Sequence, residues 1–188
     1  MTYDFDERLA FSQGRRIKSD IELLQKIIPS CVSIAKTDVN IDKQGIDYVA
    51  KLQGGAEIAI DVKTREKGAS RFWKKGEPEL ALETWSVCPE CQNGMVTGTR
   101  GWTLSDKTNV DFIFYTFDIA DTDRFYFLPY QLLRMAFLHN GTNWIKQYPL
   151  KRQTSNSWQS EALFIPASIV LDAIRAEMQC MLRGSDKH

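Results

Sequence analysis

Residues 45–65 read GIDYVAKLQGGAEIAIDVKTR, and this stretch decides the fold. The Gly-Gly pair at 54–55 divides it into two short runs, which predicts two strands joined by a tight turn. Side chains alternate across a strand, so residues two apart share a face. On the second run, Ala56, Ile58, Ile60 and Val62 face one way, and Glu57, Ala59, Asp61 and Lys63 face the other. The first set is a core face. The second places an acid beside a base, with a further acid, Asp47, on the first strand. Folding requires neither.

Upstream, Ile17, Ile21, Leu24 and Ile28 recur at helical spacing across 14–28, and Pro29 closes the pattern. Phe5, Leu9 and Phe11 offer packing anchors before it. Residues 31–34 suit a short strand, and TDVNIDKQ (37–44) is turn-forming. Downstream, EKGASRFWKKGEPE (66–79) reads as a charged loop and LALETWSV (80–87) as a third strand, with Glu83 on the side of Ala81 and Trp85. A hairpin insertion is expected around 88–102. VDFIFYTFDI (110–119) suits a strand covered on both faces, and RFYFLP (124–129) another short one. A helix is expected from Pro129 to a stop near Asn140-Gly141. Residues 142–160 are polar, with Trp144 and Trp158 interspersed, and resolve into no element beyond a strand-like segment. A last helix spans 166–183 with Val170, Ile174, Met178 and Met181 as its apolar stripe. No repeat or long linker is visible, so residues 1–188 form one domain of α/β or α+β class. Its mixed central β-sheet is flanked by helices.

The chain is 43% apolar and 26% charged, and 24 Lys and Arg balance 24 Asp and Glu. Global charge therefore announces no nucleic-acid partner, and attraction to phosphate requires a local patch. One basic segment exists, directly after the second strand of the opening stretch. Arg65, Lys67, Arg71, Lys74 and Lys75, with Phe72 and Trp73 interleaved, are placed to neutralise phosphates and stack on bases. No apolar run approaches the roughly 20 residues that span a bilayer. The first eleven residues are acidic and polar, unlike a signal peptide, so no membrane association is expected and a cytoplasmic location is. Cys88-Pro-Glu-Cys91 has the look of one zinc knuckle, but a structural zinc site takes four ligands and no second such pair exists. Zinc there is not expected. His139 reads as a helix-end residue, not a general base. The absence of a Gly-rich phosphate loop gives no support to ATP-driven or redox chemistry.

Phosphodiester hydrolysis needs charge neutralisation at the phosphoryl oxygens, an activated water and a stabilised leaving oxygen. Mg²⁺ supplies much of this and prefers carboxylate, carbonyl and water oxygens. Asp47, Asp61 and Lys63 meet the minimal requirement if their two strands are hydrogen-bonded neighbours. Gly45-Ile46-Asp47-Tyr48 followed by Asp61-Val62-Lys63 resembles the PD-(D/E)XK nuclease superfamily. That is the restriction-endonuclease-like fold of restriction enzymes, Holliday-junction resolvases and many phage and repair nucleases. Asp47 matches the first acid of its motif, and Asp61 and Lys63 match its (D/E)XK. Ile46 stands where the nominal motif has proline.

The resemblance covers residues 14 to about 128 and identifies no subfamily. It implies a first-helix acid, Asp20 or Glu22, with Asp20 preferred because its neighbour Ile21 belongs to the apolar stripe. It also implies a polar residue on the third strand, a role for Glu83, with Glu79 and Glu57 in reserve. The implied activity is a Mg²⁺-dependent (or Mn²⁺-dependent) deoxyribonuclease with DNA as its partner. Asp20, Asp47 and Asp61, with a main-chain carbonyl near Val62, would hold the metal, and Lys63 would position the attacking water. Asp47, Asp61, Lys63 and Glu83 form the implied catalytic set. A homodimer is compatible with cutting two strands, the C-terminal helix offering an interface. The rival expectation is a catalytically silent nucleic-acid- or protein-binding module of the same fold, an inhibitor or accessory subunit. A cysteine-based metal or redox protein is the weakest reading.

Overall fold

The computed structural model describes residues 20–38, 45–65, 76–89, 98–106, 108–117, 125–154 and 159–185. Residue contacts divide the chain into two compact units. One comprises Met1–Val62 with Asn109–Phe112, and the other Lys63–Thr108 with Ile113–His188.

The first unit contains helix α1 (20–27). Asp20, Leu24 and Ile28 recur every four residues and so lie along one line of the helix. That line is the buried one, with exposures of 8%, 0% and 4%. Pro29 ends the helix as the pattern predicts, and Ser30 takes a left-handed φ of 58°. Strands β1 (Cys31–Lys36), β2 (Tyr48–Leu52) and β3 (Glu57–Arg65) follow in the antiparallel order β1-β2-β3. The turn between β2 and β3 requires positive φ at Gly54 (102°) and Gly55 (89°), which glycine adopts without steric cost. Leu52 N–H closes the turn on Ala56 O at 2.8 Å. Tyr48 pairs with Ile60 and Ala50 with Ile58. Tyr48, Ala50 and Ile60 thereby share a buried face.

The other face of β3 departs from the simple alternation of core and solvent. Asp61 is as deeply buried as Ile60, at 2% against 0% exposed, and Lys63 is half-buried.

The second unit carries β4 (Glu79–Val87), β5 (Thr99–Arg100), most of β6 (Phe112–Phe117) and β7 (Phe125–Pro129). Helix α2 (Tyr130–Gln147), strands β8 (Leu150–Thr154) and β9 (Gln159–Pro166), and helix α3 (Ala167–Ser185) complete it. The end of β3 lies beside β6, which neighbours β7. Thr64 Oγ1 meets Thr116 Oγ1 at 2.9 Å. Five residues earlier on each strand, Asp111 N–H donates to Ala59 O at 2.9 Å. Both chains therefore advance in the same direction. β3 runs parallel to β6 and antiparallel to β2, which makes a mixed sheet. A separate, wholly antiparallel sheet has the order β5-β4-β9-β8. Helices α2 and α3 pack on each other, burying Leu133, Ala136, Phe137 and Trp144 on one and Val170 and Ile174 on the other. The class is α+β with three helices among the described residues, none long and apolar enough to cross a membrane.

Four expectations change. The strand bearing Glu83 is not in the sheet of β3 but in the second sheet, between β5 and β9. Helix α2 does not stop at Asn140-Gly141 but runs on to Gln147. A Cβ at Gly141 would sit 3.1 Å from the Phe137 ring, which packs edge-on against Trp144 at 5.9 Å. Burial of this aromatic pair outweighs the roughly 1 kcal/mol that glycine costs inside a helix. The polar-looking stretch 142–160 supplies the rest of α2, all of β8 and the start of β9. Finally, the stripe of α3 leaves the core after Ile174, since Met178 and Met181 are 47% and 51% exposed. The anchors Phe5, Leu9 and Phe11, and residues 90–97 of the expected hairpin, lie outside the described residues.

Candidate active site

In the first unit the site begins with strand register. Tyr48 pairs with Ile60, and one step further Asp47 N–H donates to Ile60 O at 2.9 Å. Asp47 therefore sits at the end of the ladder against Ile60, the residue before Asp61. The Asp47 carboxylate is fixed further, because its Oδ2 accepts the Val62 N–H at 2.6 Å. Asp111 makes an analogous bond nearby, accepting the Ala59 N–H at 2.8 Å, so it serves as a structural anchor of β3. Asp20 lies near Tyr48 beside Asp47. The Tyr48 phenol is pushed up to about 12, first by burial, then by the negative charges of Asp20 and Asp47. It remains a protonated hydrogen-bond donor across the neutral range. Glu22, the other first-helix candidate, is exposed, as is Glu57, which reaches Lys51 at 4.0 Å.

In the second unit the side chains of Lys63 and Glu83 meet a common neighbour. The Lys63 ammonium lies 5.9 Å from the centroid of the Trp102 ring, within the range of cation–π attraction. The Trp102 N–H donates to Glu83 Oε2 at 3.3 Å, and Ser86 Oγ donates to the same oxygen at 2.7 Å. Gly101 makes this approach possible. Its N–H bonds Thr84 O at 3.0 Å, and a Cβ there would fall 2.4 Å from Glu83 O. Tyr130 Oη holds the segment from the other side, its one O–H shared between the carbonyls of Trp102 and Ser105, each 2.8 Å away. Trp102 escaped the sequence reading as a site residue. The only signal for it was its glycine neighbour.

Arg65 does not extend freely into solvent. Its guanidinium stacks over Phe164 at 4.7 Å, and its buried Nε finds no hydrogen-bond partner among the described residues. Tyr115 Oη accepts the Ala81 N–H at 2.8 Å, and burial, opposed by that bond and by Arg65, pushes this phenol up to about 12. Glu79 is buried at the start of β4, opposite Pro166. Cys88 is buried just after β4. Lys67, Arg71, Lys74, Lys75 and Cys91 lie outside the described residues.

Among the described residues, no group of three or more His, Cys, Asp or Glu side chains is arranged to hold a metal ion. Mg²⁺ commonly takes one or two carboxylates and fills its octahedron with water and phosphate oxygens. The Asp47–Asp61 pair, with all-oxygen donors, fits that smaller demand. No protein-family model, no curated protein and no solved structure matches the chain.

Proposed function

We infer that the protein is a divalent-metal-dependent nuclease that hydrolyses phosphodiester bonds in DNA, on a restriction-endonuclease-like core. The observation that carries the reading is the Asp47 carboxylate held by the Val62 N–H at 2.6 Å, next to the buried Asp61. Lys63 stands two residues beyond Asp61 on the same unbroken strand. Two acids meet here, Asp61 at 2% exposure and Asp47 bonded to the residue after it. Next to a lysine they are what phosphate chemistry demands.

Asp47 and Asp61, with the Val62 carbonyl, would hold Mg²⁺ or Mn²⁺, with Asp20 to complete the shell. When bound, that ion supplies charge neutralisation at the phosphoryl group and a more acidic water. The Val62 N–H holds the Asp47 carboxylate in its orientation, so the pair is set before substrate arrives. Lys63 donates to the attacking water or to a phosphoryl oxygen, and the Trp102 ring limits where its ammonium can go. Glu83 acts through Trp102, whose backbone it grips.

Incubation with Mg²⁺ and plasmid, linear duplex, single-stranded and branched DNA tests the reading. Cleavage of at least one is expected, and abolition by chelator. No cleavage of any of the four sinks it. The competing reading is a silent binding module of the same fold, favoured because no group of three or more ligating side chains is arranged for a metal among the described residues. It predicts DNA or protein binding with no cleavage.

A further inference from the structure

Asp47 stands one residue before the start of β2, at the end of the ladder, yet the main-chain groups on both sides of its Cα are bonded. Its N–H donates to Ile60 O on β3 at 2.9 Å, and its carbonyl accepts the Thr37 N–H at 2.9 Å. Thr37 stands one residue past the end of β1. Its hydroxyl adds a further hold. The one O–H is shared between the carbonyls of Ile46 and Asp47, the latter 3.1 Å from Oγ1. A single residue thus pins two successive carbonyls, one on each side of the Asp47 Cα. Strand pairing does not require the hydroxyl. The Thr37 N–H already makes the ladder bond, and a valine would keep the same β-branched shape and strand preference.

We propose that Thr37 is a positioning residue for the divalent cation of the site. Its hydroxyl clamps the main chain at Ile46-Asp47 and so keeps the Asp47 carboxylate on the Val62 N–H, in the orientation that receives the ion. The physical link is the dependence of side-chain rotamers on φ and ψ. Asp47 Oδ2 reaches the Val62 N–H at 2.6 Å, and a swing of the 46–47 peptide carries the carboxylate off that donor. Binding groups must be held to within about 0.5 Å of their working geometry. Groups that orient a metal ligand without touching the ion commonly contribute about 10- to 100-fold in affinity. Thr37, Ile46, Asp47, Ile60 and Val62 all belong to the first unit. The metal part of the proposal rests on the nuclease reading, whereas the clamp is a property of the metal-free chain.

The test compares the full-length wild type, Thr37→Val and Thr37→Ser in two measurements. The first is hydrogen exchange of single amides in the metal-free protein. Val62 and Ala59 both lie on β3 and both donate to a carboxylate, Val62 to Asp47 and Ala59 to Asp111 at 2.8 Å, so Ala59 is an internal reference. In Thr37→Val the Val62 amide should exchange at least about tenfold faster relative to Ala59, through loss of a bond to a charged acceptor. Thr37→Ser keeps the hydroxyl and should keep the wild-type ratio. The second is Mn²⁺ titration followed by electron paramagnetic resonance. The dissociation constant should rise about tenfold in Thr37→Val and stay at the wild-type value in Thr37→Ser. A substitution that merely loosens the fold speeds both amides together, and that result overturns the clamp. Failure of Thr37→Ser to keep the ratio also overturns it, since the methyl group would then be responsible. A changed ratio with an unchanged Mn²⁺ constant overturns the link to the metal and leaves the nuclease reading standing. Wild-type protein that binds no Mn²⁺ and cuts no DNA overturns that reading together with the metal part, and the exchange ratio still decides the clamp.

Discussion

Gly101→Ala is the substitution for which the structure makes the sharpest demand. The new methyl carbon would stand 2.4 Å from Glu83 O and 2.6 Å from the Glu83 carbonyl carbon, where ordinary contact begins near 3.4 Å. Both atoms are backbone, so no side chain can swing away, and the segment must retreat from β4 by about 1 Å. Overpacking of this kind costs about 1–3 kcal/mol. Retreat also weakens the Gly101 N–H bond to Thr84 O and the Thr103 N–H bond to Glu83 O, each contributing about 1 kcal/mol. The expected loss is about 3–4 kcal/mol, which in a protein of this size lowers the melting temperature by roughly 10 °C. Urea unfolding monitored by circular dichroism measures it. Trp102 is displaced with the segment, so its fluorescence should shift in the folded variant, and cleavage should fall because Lys63 loses its restraining ring. A variant within 1 kcal/mol of wild type, with unchanged fluorescence, would refute the account of Gly101 and the positioning assigned to Trp102.

Three further outcomes are expected. Mn²⁺ binding followed by electron paramagnetic resonance should be detected in wild type and lost in Asp47→Asn; equal binding by both would separate the metal from the paired acids. Stability should fall between about pH 10 and pH 12. Tyr48 and Tyr115 keep their protons in the folded state up to about 12, whereas the unfolded chain releases them near 10. The native state thus binds more protons in that window and loses up to about 1.4 kcal/mol per group per pH unit as pH rises. Urea midpoints across pH 8–12 read this out, Tyr48→Phe should flatten the decline, and a level profile would contradict it. His139→Ala strips the partner from Glu177, which is 7% exposed and bonded to His139 Nδ1 at 2.7 Å. That should cost about 1–3 kcal/mol, while Arg175→Ala, breaking an exposed pair with Asp172, should cost under about 0.5 kcal/mol. Equal effects in the two variants would show that Glu177 is not held by His139.

Local chemistry explains what was legible beforehand. The Gly54-Gly55 turn fixes the register of β2 on β3, which brings Asp47 to Ile60 at the end of the ladder. Pro29 and Pro129 mark helix boundaries through backbone constraints that act within a few residues. What was hidden depends on distant partners. β9 opens with Gln159, Ser160 and Glu161, and looks polar. Glu161 is buried because Thr84, 77 residues away, donates to it at 2.9 Å and Arg152 pairs with it. With β9 unrecognised, the second sheet had no centre, and Glu83 was assigned to the wrong neighbours. The stop expected at Gly141 failed for a similar reason, since a glycine that ends helices elsewhere here makes room for the Phe137 ring. Trp102 became a site residue only through contacts with Glu83, Lys63 and Tyr130, none close to it in sequence. Asp20 was expected at the margin of the buried face through its neighbour Ile21, whereas its spacing from Leu24 and Ile28 puts it on the buried line itself.

The central claim is that Asp61, beside the Val62 N–H that holds Asp47 and followed by Lys63, carries phosphodiester hydrolysis. Single-turnover cleavage of DNA in Mg²⁺ by wild type, Asp61→Asn and Lys63→Met, each first shown to be folded by circular dichroism, tests it most directly. Cleavage by the wild type, with a loss of at least about a hundredfold in both variants, is the predicted result. Folded variants that cut at the wild-type rate would contradict it.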